Sequence, residues 1–174
     1  MKNLAKESLL IALSIFPLIY LFIMWKELPE TIATHFNFEG EADGWSSKGS
    51  LPYMIGGLGL GIYLLMLVVP YLDPKKRIQE MGTKYFSFRL ILSVFFAGIN
   101  CFIIYSAAVG NMSGNAFFFV LLGGLFAAMG NYFQTMRPNY FIGIRTPWTL
   151  QSETVWKETH RLGGKLWMIG DFLS

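Results

Sequence analysis

Two stretches of the chain hold the residues whose types and spacing suggest chemistry. In the first, His35 precedes Glu39, Glu41 and Asp43. The run Glu39-x-Glu41-x-Asp43-Gly44 resembles the alternating oxygen ligands that open an EF-hand calcium loop, whose twelfth position must be a bidentate glutamate. Here that position is Ser50, which argues against a calcium loop. The four side chains suit either a loosely held divalent ion or, as the plainer reading, a solvated acidic turn organised by His35 and Trp45. Such a surface attracts a cationic ligand, and no metal is assigned to it. In the second stretch, Glu153, Trp156, Lys157 and His160 fall at i, i+3, i+4 and i+7 of a helix expected over Ser152–Arg161. They share one face, and Glu153 and Lys157 have the spacing of an exposed ion pair. A helical zinc protease needs two histidines at H-E-x-x-H spacing, whereas this chain has only two histidines, His35 and His160, far apart. No G-x-S-x-G, P-loop or Cys–His couple is present. Neither a catalytic residue nor a cofactor is expected.

The elements that must position these stretches are membrane helices. Only 14% of the 174 residues are charged, against about 25% in an average soluble domain. No charge occurs over the 18 positions Ser8–Trp25, the 24 positions Gly49–Leu72 or the 47 positions Leu90–Met136. A helix crosses the hydrocarbon core with roughly 20 residues. The runs therefore hold one, one and two spans, expected at about 8–25, 51–71, 90–109 and 116–135. Gly110 to Asn115 supplies the turn that breaks the longest run. The fold expected is an all-α membrane protein: a bundle of four transmembrane helices plus a partial or interfacial C-terminal helix. It forms a single polytopic domain, 1–174, with an outer segment 26–50, an inner segment 137–161 and a helical stub 162–174. Lys26-Glu27-Leu28-Pro29 offers no small-residue cleavage site, so the first span is read as uncleaved.

Within the spans, Gly57 and Gly61 have the GxxxG spacing of close helix packing. Gly123, Ala127 and Asn131 form a small face of span four, expected to lie on span three, where Asn100 is placed to bond across. An N-terminus inside the cell puts Lys2, Lys6 and the 75–89 and 137–165 groups in the cytoplasm, 12 of the 14 Lys and Arg residues. The positive-inside rule favours that orientation, with Trp25, Trp45 and Trp148 at the interfaces. Membrane lipid is the partner this composition implies, and direct nucleic-acid binding is not expected.

The loop Gly143 to Leu150 is more than a connector by its residue types. Arg145 presents a rigid fork of donors, Thr146 and Pro147 set a turn or helix start, and Trp148 is a large amphipathic anchor. The residues leave two readings open, an interfacial anchor or a docking loop for a cytosolic partner. The run Asn139-Tyr140-Phe141-Ile142-Gly143-Ile144-Arg145-Thr146-Pro147-Trp148-Thr149-Leu150, followed by Glu153-Thr154-Val155-Trp156 and His160-Arg161, resembles the signature of the SdpI family. The outer stretch, Leu28-Pro29 through His35-Phe36-Asn37 to Gly40 and Asp43-Gly44-Trp45, resembles a domain of unknown function commonly joined to it.

This resemblance implies a multi-pass protein of the bacterial cytoplasmic membrane that protects its cell from a secreted peptide toxin and recruits a transcriptional repressor to the membrane. It implies no cofactor. On that reading Asn139, Gly143, Arg145, Thr146, Pro147, Trp148, Thr149, Trp156 and His160 form the cytoplasmic partner motif. His35, Glu39, Glu41, Asp43 and Trp45 form the ligand-facing outer segment. Family members usually have six spans. The 13 residues after Arg161 reach only about 20 Å as a helix, so the stub is expected to be an incomplete or interfacial helix of a shortened chain. The alternative function is a small transporter or channel-like component, against which stands the absence of Asp, Glu, Lys and Arg from the four spans.

Overall fold

The computed structural model describes residues 2–36, 42–74, 76–109 and 115–172. Helix α1 is Lys2–Met24 and passes through Pro17. Strands β1, Thr31–Phe36, and β2, Ala42–Ser47, pair antiparallel, with Thr31 opposite Ser47, Ala33 opposite Trp45 and His35 opposite Gly44. Helix α2 is Leu51–Gly56, and a π-helical segment, Gly57–Gly61, leads into α3, Ile62–Leu72. Then come α4, Arg77–Glu80, α5, Thr83–Val109, α6, Asn115–Phe133, α7, Pro147–Gln151, and α8, Glu153–Phe172.

Four helical stretches are long and apolar enough to cross a membrane: Leu4–Met24, Lys48–Leu72, Thr83–Val109 and Ala116–Phe133. They overlap the four expected spans, and the first three begin earlier, taking in Lys6, Glu7, Lys48, Lys84 and Arg89. Their exposed faces carry Phe22, Leu64, Val94, Phe119 and Val120, an amount of bare apolar surface that water would not tolerate and lipid solvates. The chain is a multi-pass membrane protein, predominantly helical, with the hairpin as its β element.

Internal packing divides the chain into two units, residues 1–63 with 93–121 and residues 64–92 with 122–174. In the first, Ile32 of β1 packs on Leu21, Leu28, Leu51, Ile55 and Ile104, which seats the hairpin on the helices. Lys48, only 8% exposed, donates from Nζ to the Leu28 carbonyl at 2.9 Å and lies 4.9 Å above the Trp25 ring. In the second unit, Met129, Phe133 and Met136 gather with Tyr85, Phe88, Ile142 and Trp156.

Several expectations need correction. Among the described residues nothing stands within 4 Å of a Cβ built on Gly57 or Gly61, which bound a π-helical segment. The close approach is made by Gly59, where a Cβ would stand 2.9 Å from the Ser14 carbonyl oxygen. Asn100, fully buried, bonds not to span four but to span two, Nδ2 to the Ile55 carbonyl at 3.4 Å. On the small face of span four, Gly123 and Ala127 are half-buried and Asn131 is exposed. Aromatic contacts between α5 and α6 come from Phe117 and Phe118 on Phe102 in the first unit, and from Tyr132 on Phe88 in the second. The expected helix 152–161 and stub 162–174 are one helix, α8, which continues to Phe172. The turn expected from Gly110 lies outside the described residues up to Gly114, and Asn115 opens α6.

Candidate functional site

The inner motif is built in the second unit, and most of its residues shape it from within. Asn139, 1% exposed, accepts the Phe141 and Ile142 backbone N–H groups on Oδ1 at 2.9 and 2.7 Å and donates from Nδ2 to the Arg137 carbonyl at 3.0 Å. One buried amide thus satisfies three backbone groups of a turn that no helix or strand could satisfy. Gly143 follows at φ +105°, and a Cβ there would collide with His160 and come within 2.8 Å of the Met136 methyl. Only glycine both adopts that backbone and leaves room for the imidazole.

His160 uses the space. Its Nε2 accepts the Ile144 N–H at 2.9 Å, so Nδ1 carries the proton and donates to the Trp156 carbonyl at 2.8 Å. The ring stacks on Trp156 with centroids 4.0 Å apart and meets Phe133 edge-on at 5.9 Å. Burial holds its pKa below the ordinary histidine value, outweighing the opposing effect of the bond to the Trp156 carbonyl. Trp156 is fully buried and donates from Nε1 to the Met136 carbonyl at 2.9 Å. Two side chains one helical turn apart on α8 therefore grip the chain on either side of the loop.

The start of α7 follows from local chemistry. Thr146 is the N-cap, its hydroxyl accepting the Thr149 N–H, while the buried Thr149 hydroxyl accepts the Thr146 N–H at 2.8 Å and donates to the Ile144 carbonyl at 2.9 Å. Pro147 occupies the first turn, as a missing N–H there costs nothing. What this scaffold presents outward is Arg145, Pro147 and Trp148, the last 63% exposed. Arg145 donates to the Tyr140 carbonyl, which braces the guanidinium across the loop. Ser152 accepts the Val155 N–H at 3.4 Å at the start of α8. The nine motif residues therefore divide: Asn139, Gly143, Thr146, Thr149, Trp156 and His160 hold the loop, and Arg145, Pro147 and Trp148 are displayed.

Residues the sequence reading passed over complete the site. Gly130 of α6 and Gly164 of α8 touch backbone to backbone, a crossing that side chains would prevent. Trp167 then packs on Phe126 and Phe133 at 5.2 and 5.0 Å between centroids. A small-residue contact between helices was the available signal, but it lay on a pair distant in sequence. Beside the motif, Arg77, Lys84, Arg137, Lys157 and Arg161 line a cleft of about 830 Å³ with Glu80, Glu153 and Glu158. Glu153 faces Arg77 at 4.0 Å, and Arg161 pairs with Glu158 at 2.6 Å.

In the first unit, His35 pairs with Asp43 across the hairpin, both exposed, and Trp45 is 63% exposed. Glu39 and Glu41 lie outside the described residues. Beneath the hairpin is an apolar pocket of about 290 Å³, walled by Ile32, Ala33 and Trp45 from the strands and by Met54, Phe102 and Phe118 from the helices.

Comparison with known proteins bears on both stretches. Residues 135–174 match the SdpI/YfhL protein family, and residues 12–57 match a domain of unknown function, DUF1648. The chain is 43% identical over 51 residues to the immunity protein SdpI of Bacillus subtilis strain 168, a match covering 29% of this chain and 25% of that protein. The chain thus spans about a quarter of the length of this curated relative. No solved structure matches it.

Proposed function

The chain belongs to the SdpI/YfhL family, and from that premise we propose that it is an immunity-type protein of the bacterial cytoplasmic membrane. Its N-terminus and inner motif face the cytoplasm, and its hairpin faces outward. It protects the cell from a secreted peptide and passes the peptide's presence to a cytosolic repressor. The observation that carries this reading is the division of labour in the motif: six residues, four of them at most 1% exposed, hold a loop that displays Arg145, Pro147 and Trp148 beside the partly exposed Ile144. A mere membrane anchor needs no such scaffold. An aromatic and an arginine presented together on a rigid support are the residue types that dominate protein–protein hot spots. The neighbouring cleft, with five cations against three acids, favours a partner that brings negative charge. The positive-inside count supports the orientation. For signalling, the peptide must bind two conformations of the protein with different affinity.

The test is complementation. The chain is expressed in Bacillus subtilis cells lacking their own SdpI and challenged with the secreted peptide toxin to which those cells are then sensitive. Survival at the level of the restored SdpI gene is expected. Killing equal to that of the empty vector, with the chain present in the membrane fraction, contradicts the reading. For the inner surface, Arg145→Ala and Trp148→Ala are expected to abolish repressor recruitment at unchanged membrane levels, and undiminished recruitment refutes the docking role.

A further inference from the structure

The pocket beneath the hairpin contains one polar group out of keeping with its walls. The Ser106 hydroxyl is buried and has no hydrogen-bond partner among the described residues. The contrast with other helical serines is direct: Ser8, Ser14 and Ser87 each donate to the carbonyl four residues earlier, at 2.9, 2.9 and 3.1 Å. An unpaired buried hydroxyl is costly unless something else pairs with it. Around it the lining is apolar, from Ile99, Phe102 and Ile103 on α5 to Phe118 on α6, with Thr31 and Thr34 on the hairpin side.

Three features define the occupant. At about 290 Å³ the pocket lies at the lower end of the roughly 300–1,000 Å³ of ligand clefts. That is room for one large side chain and not for a folded segment. Mostly apolar walls around one buried, unpaired hydroxyl match an aromatic ring carrying an O–H or N–H at its edge. The surroundings are acidic: Glu30 sits between the lining residues Pro29 and Thr31, and Asp43 follows the lining residue Ala42. Segment 26–50 carries five acids against two lysines, one of them the buried Lys48. A lipid acyl chain would fill the same walls but leave Ser106 unpaired and gain nothing from the acids.

We propose that this pocket holds a single tyrosine or tryptophan side chain of a cationic secreted peptide, with the ring between hairpin and helices and its polar edge on Ser106 Oγ. The proposal rests on the immunity reading above and names the ligand chemistry of its outer site. Entry of the ring beneath the hairpin would couple the bound peptide to α5 through Phe102 and Ser106.

The experiment uses the full chain in lipid nanodiscs and two synthetic probes, Ac-Lys-Lys-Trp-Lys-NH2 with a fluorine on the indole and its leucine counterpart. The tryptophan probe is expected to bind saturably by fluorine NMR, and Ser106→Ala to weaken it about five- to tenfold, the loss of one hydrogen bond. Ala33→Phe, which fills the pocket from the hairpin, is expected to abolish binding, and the leucine probe to bind more weakly and to ignore the Ser106 substitution. Ser106→Ala adds no bulk, so it remains informative if Ala33→Phe fails to fold. Equal affinity of the two probes, or indifference of the tryptophan probe to Ser106→Ala, overturns the proposal. So does a retained lipid, seen by native mass spectrometry, that Ala33→Phe releases while neither probe binds. Ser106-dependent binding without cell protection would refute immunity and leave the pocket standing. Full protection by wild type and by both variants would refute the pocket and leave immunity standing.

Discussion

Replacing Gly143 by alanine tests the inner scaffold where its parts depend on one another most. The backbone at φ +105° strains any residue with a Cβ, at a cost of about 1–2 kcal/mol. The Cβ would also occupy the position of the His160 ring and press on the Met136 methyl. If the ring moves, the Ile144 N–H loses its 2.9 Å bond and a buried imidazole nitrogen is left unpaired, a further cost of about 1–3 kcal/mol. The sum of about 2–5 kcal/mol corresponds to roughly a 30- to 4,000-fold rise in loop opening, at about 1.4 kcal/mol per factor of ten. The assay is hydrogen–deuterium exchange of the Ile144 amide in nanodiscs, which reads local opening. Gly82 supplies the control: it has φ +52° but nothing near its Cβ position, so Gly82→Ala meets strain alone. Its expected effect is about 5- to 30-fold, confined to its own turn. If Ile144 protection in Gly143→Ala stays within threefold of wild type, the His160–Ile144 bond is not what holds the loop.

Acid should loosen the same loop. Because burial depresses the His160 pKa, the unfolded loop, near pKa about 6.5, takes the proton more readily than the folded one. The stability from the neutral ring is therefore complete above that value and is lost as pH falls through the folded-state pKa. Ile144 protection, corrected for intrinsic exchange, should fall on acidification, and His160→Gln should remove the step; a flat profile in wild type contradicts the assignment. In the first unit, Lys48→Met should lower the thermal midpoint by leaving the Leu28 carbonyl without its charged donor, a bond of about 1.5–3 kcal/mol. Glu30→Ala, at a carboxylate 92% exposed and 3.7 Å from the same ammonium, should change the midpoint little. Cysteines replacing Phe126 and Trp167 should cross-link readily, and adding Gly164→Leu should abolish the cross-link by forcing α6 and α8 apart; an unchanged yield would refute that crossing.

The spans were legible because solvation by lipid leaves a local mark, a run of uncharged residues long enough to cross. The starts of α7 and α8 were legible for a similar reason: Thr146, Pro147 and Ser152 act within three residues of themselves. What escaped depends on partners distant in sequence. His160 meets Ile144 across 16 positions and Trp156 meets Met136 across 20, so their share in the loop could not be read from helix periodicity. The Gly57–Gly61 spacing misled because it assumes an α-helical pitch, whereas the segment is π-helical and the close contact is made by Gly59. The hairpin was hidden because Thr31–Phe36 and Ala42–Ser47 lack a clean alternation, with one core residue, Ile32, anchoring them.

The account stands on the hairpin and the Arg145–Trp148 loop lying on opposite sides of the membrane. The direct measurement is labelling of intact cells with a membrane-impermeant maleimide, in a Cys101→Ala background with a single cysteine at position 45 or 148. Labelling at 45 in intact cells, and at 148 only after the membrane is opened, is the predicted result. Labelling at 148 in intact cells would place the motif outside and contradict both the proposed partner and the proposed ligand face.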